Sequence, residues 1–123
     1  MGLRKNKNKS EGIAMIINFN ETEETVLPHF NGGEKEFKAR IHLDEKNKIL
    51  YGKLEPGASI GMHTHDTSSE IIYILQGQGK VLFDGGEEAV EAGLCHYCPK
   101  GHAHSLINNS QDLLVFFAVV PQQ

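Results

Sequence analysis

A chain of 123 residues, 39 % apolar, can bury the core of one domain, and no apolar run nears the ~18 residues of a membrane span. The net charge is −4 and no basic patch lies among the apolar segments, so neither a membrane nor a nucleic acid is expected as partner. The 13 glycines fall between short apolar runs, and no 3.6-residue periodicity lasts beyond about two turns, which predicts an all-β domain.

Residues 1–14, MGLRKNKNKSEGIA, set Arg4, Lys5, Lys7 and Lys9 against Glu11, a net +3 that leaves −7 on residues 15–123. The segment has no apolar signal core. It reads as a disordered extension, a mis-assigned start with Met15 as the alternative, or a cloning leader; residues 15–123 are then the single domain. A first strand is expected over 13–19, followed by an irregular, acidic stretch over 21–31 that contains Pro28. Phe37, Ala39, Ile41 and Leu43 alternate with Lys38, Arg40 and His42, the pattern of a half-buried strand. After the turn at 44–47 come strands over 48–54, 60–64 and Glu70–Gln76. Strands over 80–83, 87–91, 94–98, Ala103–Ile107 and 113–120 complete nine to ten, with Asp84-Gly85-Gly86 as a hairpin turn. Of 87–91 only Ala89 and Val90 can make apolar contacts, and Glu87, Glu88 and Glu91 read as a solvated edge. Many short strands separated by turns predict a β-sandwich or barrel.

The chemistry gathers in GASIGMHTHDTSSEIIYILQG, residues 57–77. His63 and His65 are two apart, so in a strand both rings face one side, about 7 Å apart. The polar tetrad 66–69 can turn the chain and bring Glu70 back towards them. Two imidazoles and a carboxylate suit a transition metal rather than calcium or magnesium. In the second stretch, GLCHYCPKGHAHSLIN over 93–108, Pro99-Lys100-Gly101 forms a tight turn. His104 follows it and adds a third imidazole if its strand lies beside that of His63.

Cys95 and Cys98 are three apart, which on a strand puts them on opposite faces with Cα atoms about 10 Å apart, too far for a disulfide. They read as two reduced, small buried residues in a cytoplasmic protein rather than a redox pair.

The two stretches resemble the paired motifs of the cupin superfamily. The first is G-x5-H-x-H-x(3,4)-E-x6-G, matched at Gly57, His63, His65, Glu70 and Gly77. The second is G-x5-P-x-G-x2-H-x3-N, matched at Gly93, Pro99, Gly101, His104 and Asn108. The resemblance implies a double-stranded β-helix, or jelly-roll barrel, that pairs as a homodimer. It implies that His63, His65, Glu70 and His104 hold one divalent transition metal ion per chain. Glu70 favours a harder ion, Mn or Fe, while Zn, Ni or Co also fit the donor set. Each ligand histidine then needs a partner for its other ring nitrogen.

Further residues carry weaker expectations. His102 is a rim histidine or a contact behind the ligands or to substrate. Tyr73 and Tyr97 are buried strand tyrosines or pocket proton donors. His96 reads as structural, and His29 and His42 as surface. The loop Phe30-Asn31-Gly32-Gly33 is a plain turn or a lid. Three functions remain open: a mononuclear metal enzyme acting on a small oxygenated substrate, as dioxygenase, decarboxylase, lyase or sugar isomerase; a metal-dependent module that binds a small molecule, such as a carboxylate or sugar, without turnover; or a structural barrel. The complete ligand set disfavours the last, and no compelling pocket base argues for chemistry run by the metal itself.

Overall fold

The computed structural model describes residues 16–123. They form ten strands: β1 Glu24–Pro28, β2 Glu36–Leu43, β3 Asn47–Leu54, β4 Ser59–Thr64, β5 Glu70–Gln76, β6 Gln78–Phe83, β7 Gly86–Glu91, β8 Cys95–Cys98, β9 Ala103–Ile107 and β10 Leu114–Pro121. Two sheets result, one ordered β1-β2-β3-β10-β5-β8 and one β4-β9-β6-β7, with every pair antiparallel. This is the two-sheet jelly-roll arrangement expected of the sequence. Among the described residues, no helix is long and apolar enough to cross a membrane.

Period-two burial explains the sheets. Leu50 and Leu54 on β3, Ile72 and Ile74 on β5, and Leu114, Phe116 and Ala118 on β10 all turn inward. Phe116 is 1 % exposed and stacks on Phe37 at a ring distance of 5.8 Å. Burying such a ring contributes about 2–3 kcal/mol.

The turns between motif strands are not hairpins. The polar tetrad after β4 carries the chain from the smaller sheet to β5 in the larger one, and Pro99-Lys100-Gly101 carries it back from β8 to β9. Gly101 sits at φ +90°, a conformation that glycine adopts without steric cost. Asn108, fully buried, donates through Nδ2 to the carbonyls of Leu54 and Asp112 and accepts from Ser110, so this motif residue ties a loop rather than serving a ligand.

Three sequence expectations need correction. The strand expected over 13–19 is absent from its described part: residues 16–18 are irregular and Phe19–Glu21 is a 3₁₀ turn. Asn18 caps that turn by accepting from the Asn20 N–H, a local bond that competes with strand pairing. Residues 1–14, expected as an extension, lie outside the described residues. The stretch over 21–31, expected to be irregular, contains β1, an edge strand with Pro28 at its end. Its half-exposed side chains give no periodic signal, and pairing with β2 makes it a strand. Finally, Cys95 is exposed while Cys98 is buried; both are free thiols on opposite faces, but only one is a core residue.

Candidate metal centre

β4 and β9 are neighbours, and their register sets His63 directly opposite His104. His65 lies just past the end of β4, where its N–H donates to the His102 carbonyl (3.0 Å) and its carbonyl accepts from Gly101 N–H (2.6 Å). The turn of one motif thereby fixes a histidine of the other. Glu70 reaches in from the opposite sheet, at the start of β5. One ligand atom from each of His63, His65, Glu70 and His104 lies within 4.8 Å of the others. Glu70 Oε1 is 2.9 Å from His104 Nε2, 3.0 Å from His65 Nε2 and 3.8 Å from His63 Nε2.

Each ring has its other nitrogen engaged. His63 donates through Nδ1 to the Gly61 carbonyl at 2.7 Å. His65 Nδ1 meets Ser68 Oγ at 3.1 Å, and His104 Nδ1 meets His96 Nε2 at 3.0 Å. All three therefore present Nε2 to the cluster, as metal-binding imidazoles do when a second group holds the ring. Three imidazole nitrogens and one carboxylate oxygen make a donor set that suits a divalent transition ion.

The electrostatics agree. Burial alone would raise the Glu70 carboxyl, yet hydrogen bonds to His104 and His65, with the His63 ring close by, hold it well below the usual carboxylate range. Burial disfavours a charged His63, but Glu70 and the Gly61 carbonyl outweigh it and raise the ring. His96 moves the other way, to about 4, through burial and then the neighbouring His104.

A cavity of about 80 Å³ opens on the cluster beside His63, His65 and Glu70. Its walls are Phe30, Phe37, Leu50, Ile60 and Val120, with Asn31 and Lys48 as the further polar contributors. The 30–33 loop forms part of this wall rather than a plain turn. It lies so tightly on β4 that a Cβ on Gly61 would run into the Asn31 carbonyl.

The other sequence candidates fall elsewhere. His102 pairs with Asp84 (Nδ1 to Oδ1, 3.1 Å) and stacks on Phe83 instead of joining the cluster. Tyr73 and Tyr97 are 42 % and 54 % exposed on the outer face of β5 and β8, away from the cavity. His96, read from the sequence as structural, backs His104, and Lys48 is a cavity residue to which no motif points. Strand parity offered a signal for both: His96 shares its face of β8 with Cys98, and Lys48 its face of β3 with Leu50.

Residues 50–120 match the family of the cupin domain. The chain is a cupin. This cupin is 32 % identical over 117 residues to the oxalate-binding protein of Thermotoga maritima, covering 89 % of this chain and 96 % of that protein. It also resembles a crystal structure from Thermotoga maritima described as a predicted oxalate decarboxylase, with TM-score 0.84 and 29 % identity over 89 % of this chain and all of that one. A Cupin 2 conserved barrel domain protein from Salinispora arenicola shares the fold at TM-score 0.65 and 21 % identity, covering 89 % of this chain and 90 % of that one.

Proposed function

We propose that this cupin binds one divalent transition metal ion through His63, His65, Glu70 and His104, and uses it to hold a small carboxylate of the oxalate kind. The observation that carries the reading is the convergence of three imidazoles and one buried carboxylate on a cavity of about 80 Å³. A cavity of that size has room for a few waters and so suits a compact ligand. The likeness to an oxalate-binding protein over nearly both full lengths supports the choice of ligand. When bound, the ion would act as a Lewis acid that holds and polarises two ligand oxygens. Glu70 favours Mn or Fe, with Zn, Ni and Co as competitors.

Binding without turnover is favoured over catalysis. Releasing carbon dioxide from oxalate leaves a carbon that must take up a proton, and on the described cavity wall the Lys48 ammonium is the one acid outside the ligand set. Tyr73 and Tyr97 lie outside it, and His102 is engaged with Asp84. Decarboxylation is the second reading, supported by the likeness to a predicted oxalate decarboxylase. A homodimer and a cytoplasmic location complete the proposal. The first is supported by exposed Ile71, Tyr73, Leu75 and Tyr97 on one sheet face, the second by two free thiols.

The test is metal analysis of purified protein, then calorimetric titration with oxalate and assay of released formate. One ion per chain, with oxalate binding abolished by chelator and by His104→Ala, is the expected result. Metal-independent binding, or none, would sink the reading; steady formate release would establish the enzymatic one.

A further inference from the structure

Lys48 stands on the inward side of β3, in line with buried Leu50, Gly52 and Leu54, and opposite Val120 of β10. An ammonium group on a core-facing strand position needs a partner or a route to water. Among the described residues no carboxylate pairs with it, although Lys38, Lys53 and Lys80 each have one. Its Nζ instead sits over the Phe30 ring, 5.9 Å from the centroid, and the side chain lines the cavity that holds His63, His65 and Glu70. Phe30 thus holds the charge at the cavity wall without neutralising it.

Charge balance gives this placement a consequence. A divalent ion (+2) beside ionised Glu70 (−1) leaves a net +1, enough for a monoanion. Lys48 brings the total to +2, the charge that a dianion neutralises. The apolar remainder of the cavity wall lowers the local dielectric and magnifies the difference.

We propose that Lys48 is the specificity residue of this site, pairing with an outward oxygen of the bound ligand and selecting dicarboxylate dianions over monocarboxylates of the same footprint. The inference rests on the metal-and-carboxylate reading above.

The test compares wild type, Lys48→Met and Lys48→Arg, each loaded with Mn(II) and checked for equal metal content and melting temperature. Each is titrated calorimetrically with oxalate and with glycolate, which offers the same bidentate footprint with one charge fewer. Lys48→Met should weaken oxalate roughly 10- to 100-fold and glycolate less than about threefold, as expected for losing one charge-assisted hydrogen bond, and Lys48→Arg should recover most of the loss. Unchanged oxalate affinity in Lys48→Met, or equal losses for both ligands, overturns the role of Lys48 while leaving the carboxylate site standing. Failure of the wild type to bind oxalate overturns both.

Discussion

His96 Nε2 lies 3.0 Å from His104 Nδ1. With an ion on its Nε2 in place of the hydrogen bond to Glu70, His104 would carry its ring proton on Nδ1 and donate it to His96. The lowered pKa of His96, about 4, keeps its ring neutral at neutral pH, and with its one proton on Nδ1 that ring accepts at Nε2. It therefore supports a ring of the candidate metal centre from behind.

Replacing His96 by Ala should weaken Mn(II) binding about 10- to 100-fold, the usual cost of removing such a support. His96→Gln, whose amide oxygen can accept, should recover part of it. Competition against a chromogenic chelator measures both. Wild-type affinity in His96→Ala would show that His104 needs no support.

The metal-free cluster should have a stability window. Glu70 is held well below 4.5, so its contribution is present above about pH 4.5 and lost as pH falls through the lowered value. His63 is raised above 6.5, so its contribution is full below about pH 6.5 and fades as pH rises through the raised value. In chelator, the melting temperature of wild type relative to Glu70→Gln should peak between these limits. A difference that keeps growing from neutral to alkaline pH would contradict the assignment.

Metal reverses the alkaline side of that profile, because it competes with protons for the three imidazoles. Ion at 100 times its Kd adds about 2.7 kcal/mol, or roughly 5–10 °C in Tm for a domain of this size. At about pH 7.5 chelator should remove that increment without unfolding the barrel, whose core includes Ile74, Leu106, Leu114 and Phe116, none of which lines the cavity. At about pH 4.5 chelator should change little. Outright unfolding in chelator would mean that the core cannot stand alone.

Gly61→Ala should disturb fold and site together. The added methyl would press on the Asn31 carbonyl and the Gly33 N–H, prising the 30–33 loop from β4. The same residue's carbonyl receives the His63 Nδ1 proton. A loss of about 1–3 kcal/mol in denaturant unfolding is expected, with weaker metal binding. A variant as stable as wild type would show that the loop can shift freely.

Thiol labelling should separate the two cysteines. Cys98 is buried and its thiol is pushed up to about 11, by burial first and then by the Glu70 and Asp84 charges, whereas Cys95 is exposed. A maleimide at neutral pH should label Cys95 alone in native protein and both after denaturation, read by mass spectrometry. A 95–98 disulfide would overturn this.

Much of this was written in the sequence, because it depends on local geometry. Period two placed most of the strands, the spacing of His63 and His65 put two rings on one face, and Gly101 marked a turn that needs positive φ. The ten motif positions carried the family. Edge strand β1 was not legible, since its order comes from β2 rather than from its own side chains. Nor were the partners behind the ligands. Gly61, Ser68 and His96 hold the three rings through contacts whose identity depends on how two sheets face each other. Lys48 shows the same limit. Its parity on β3 is local, but only the packed barrel decides that this inward position opens onto the cavity beside Glu70, because a side chain's dielectric surroundings and charge partners are set by what folds against it.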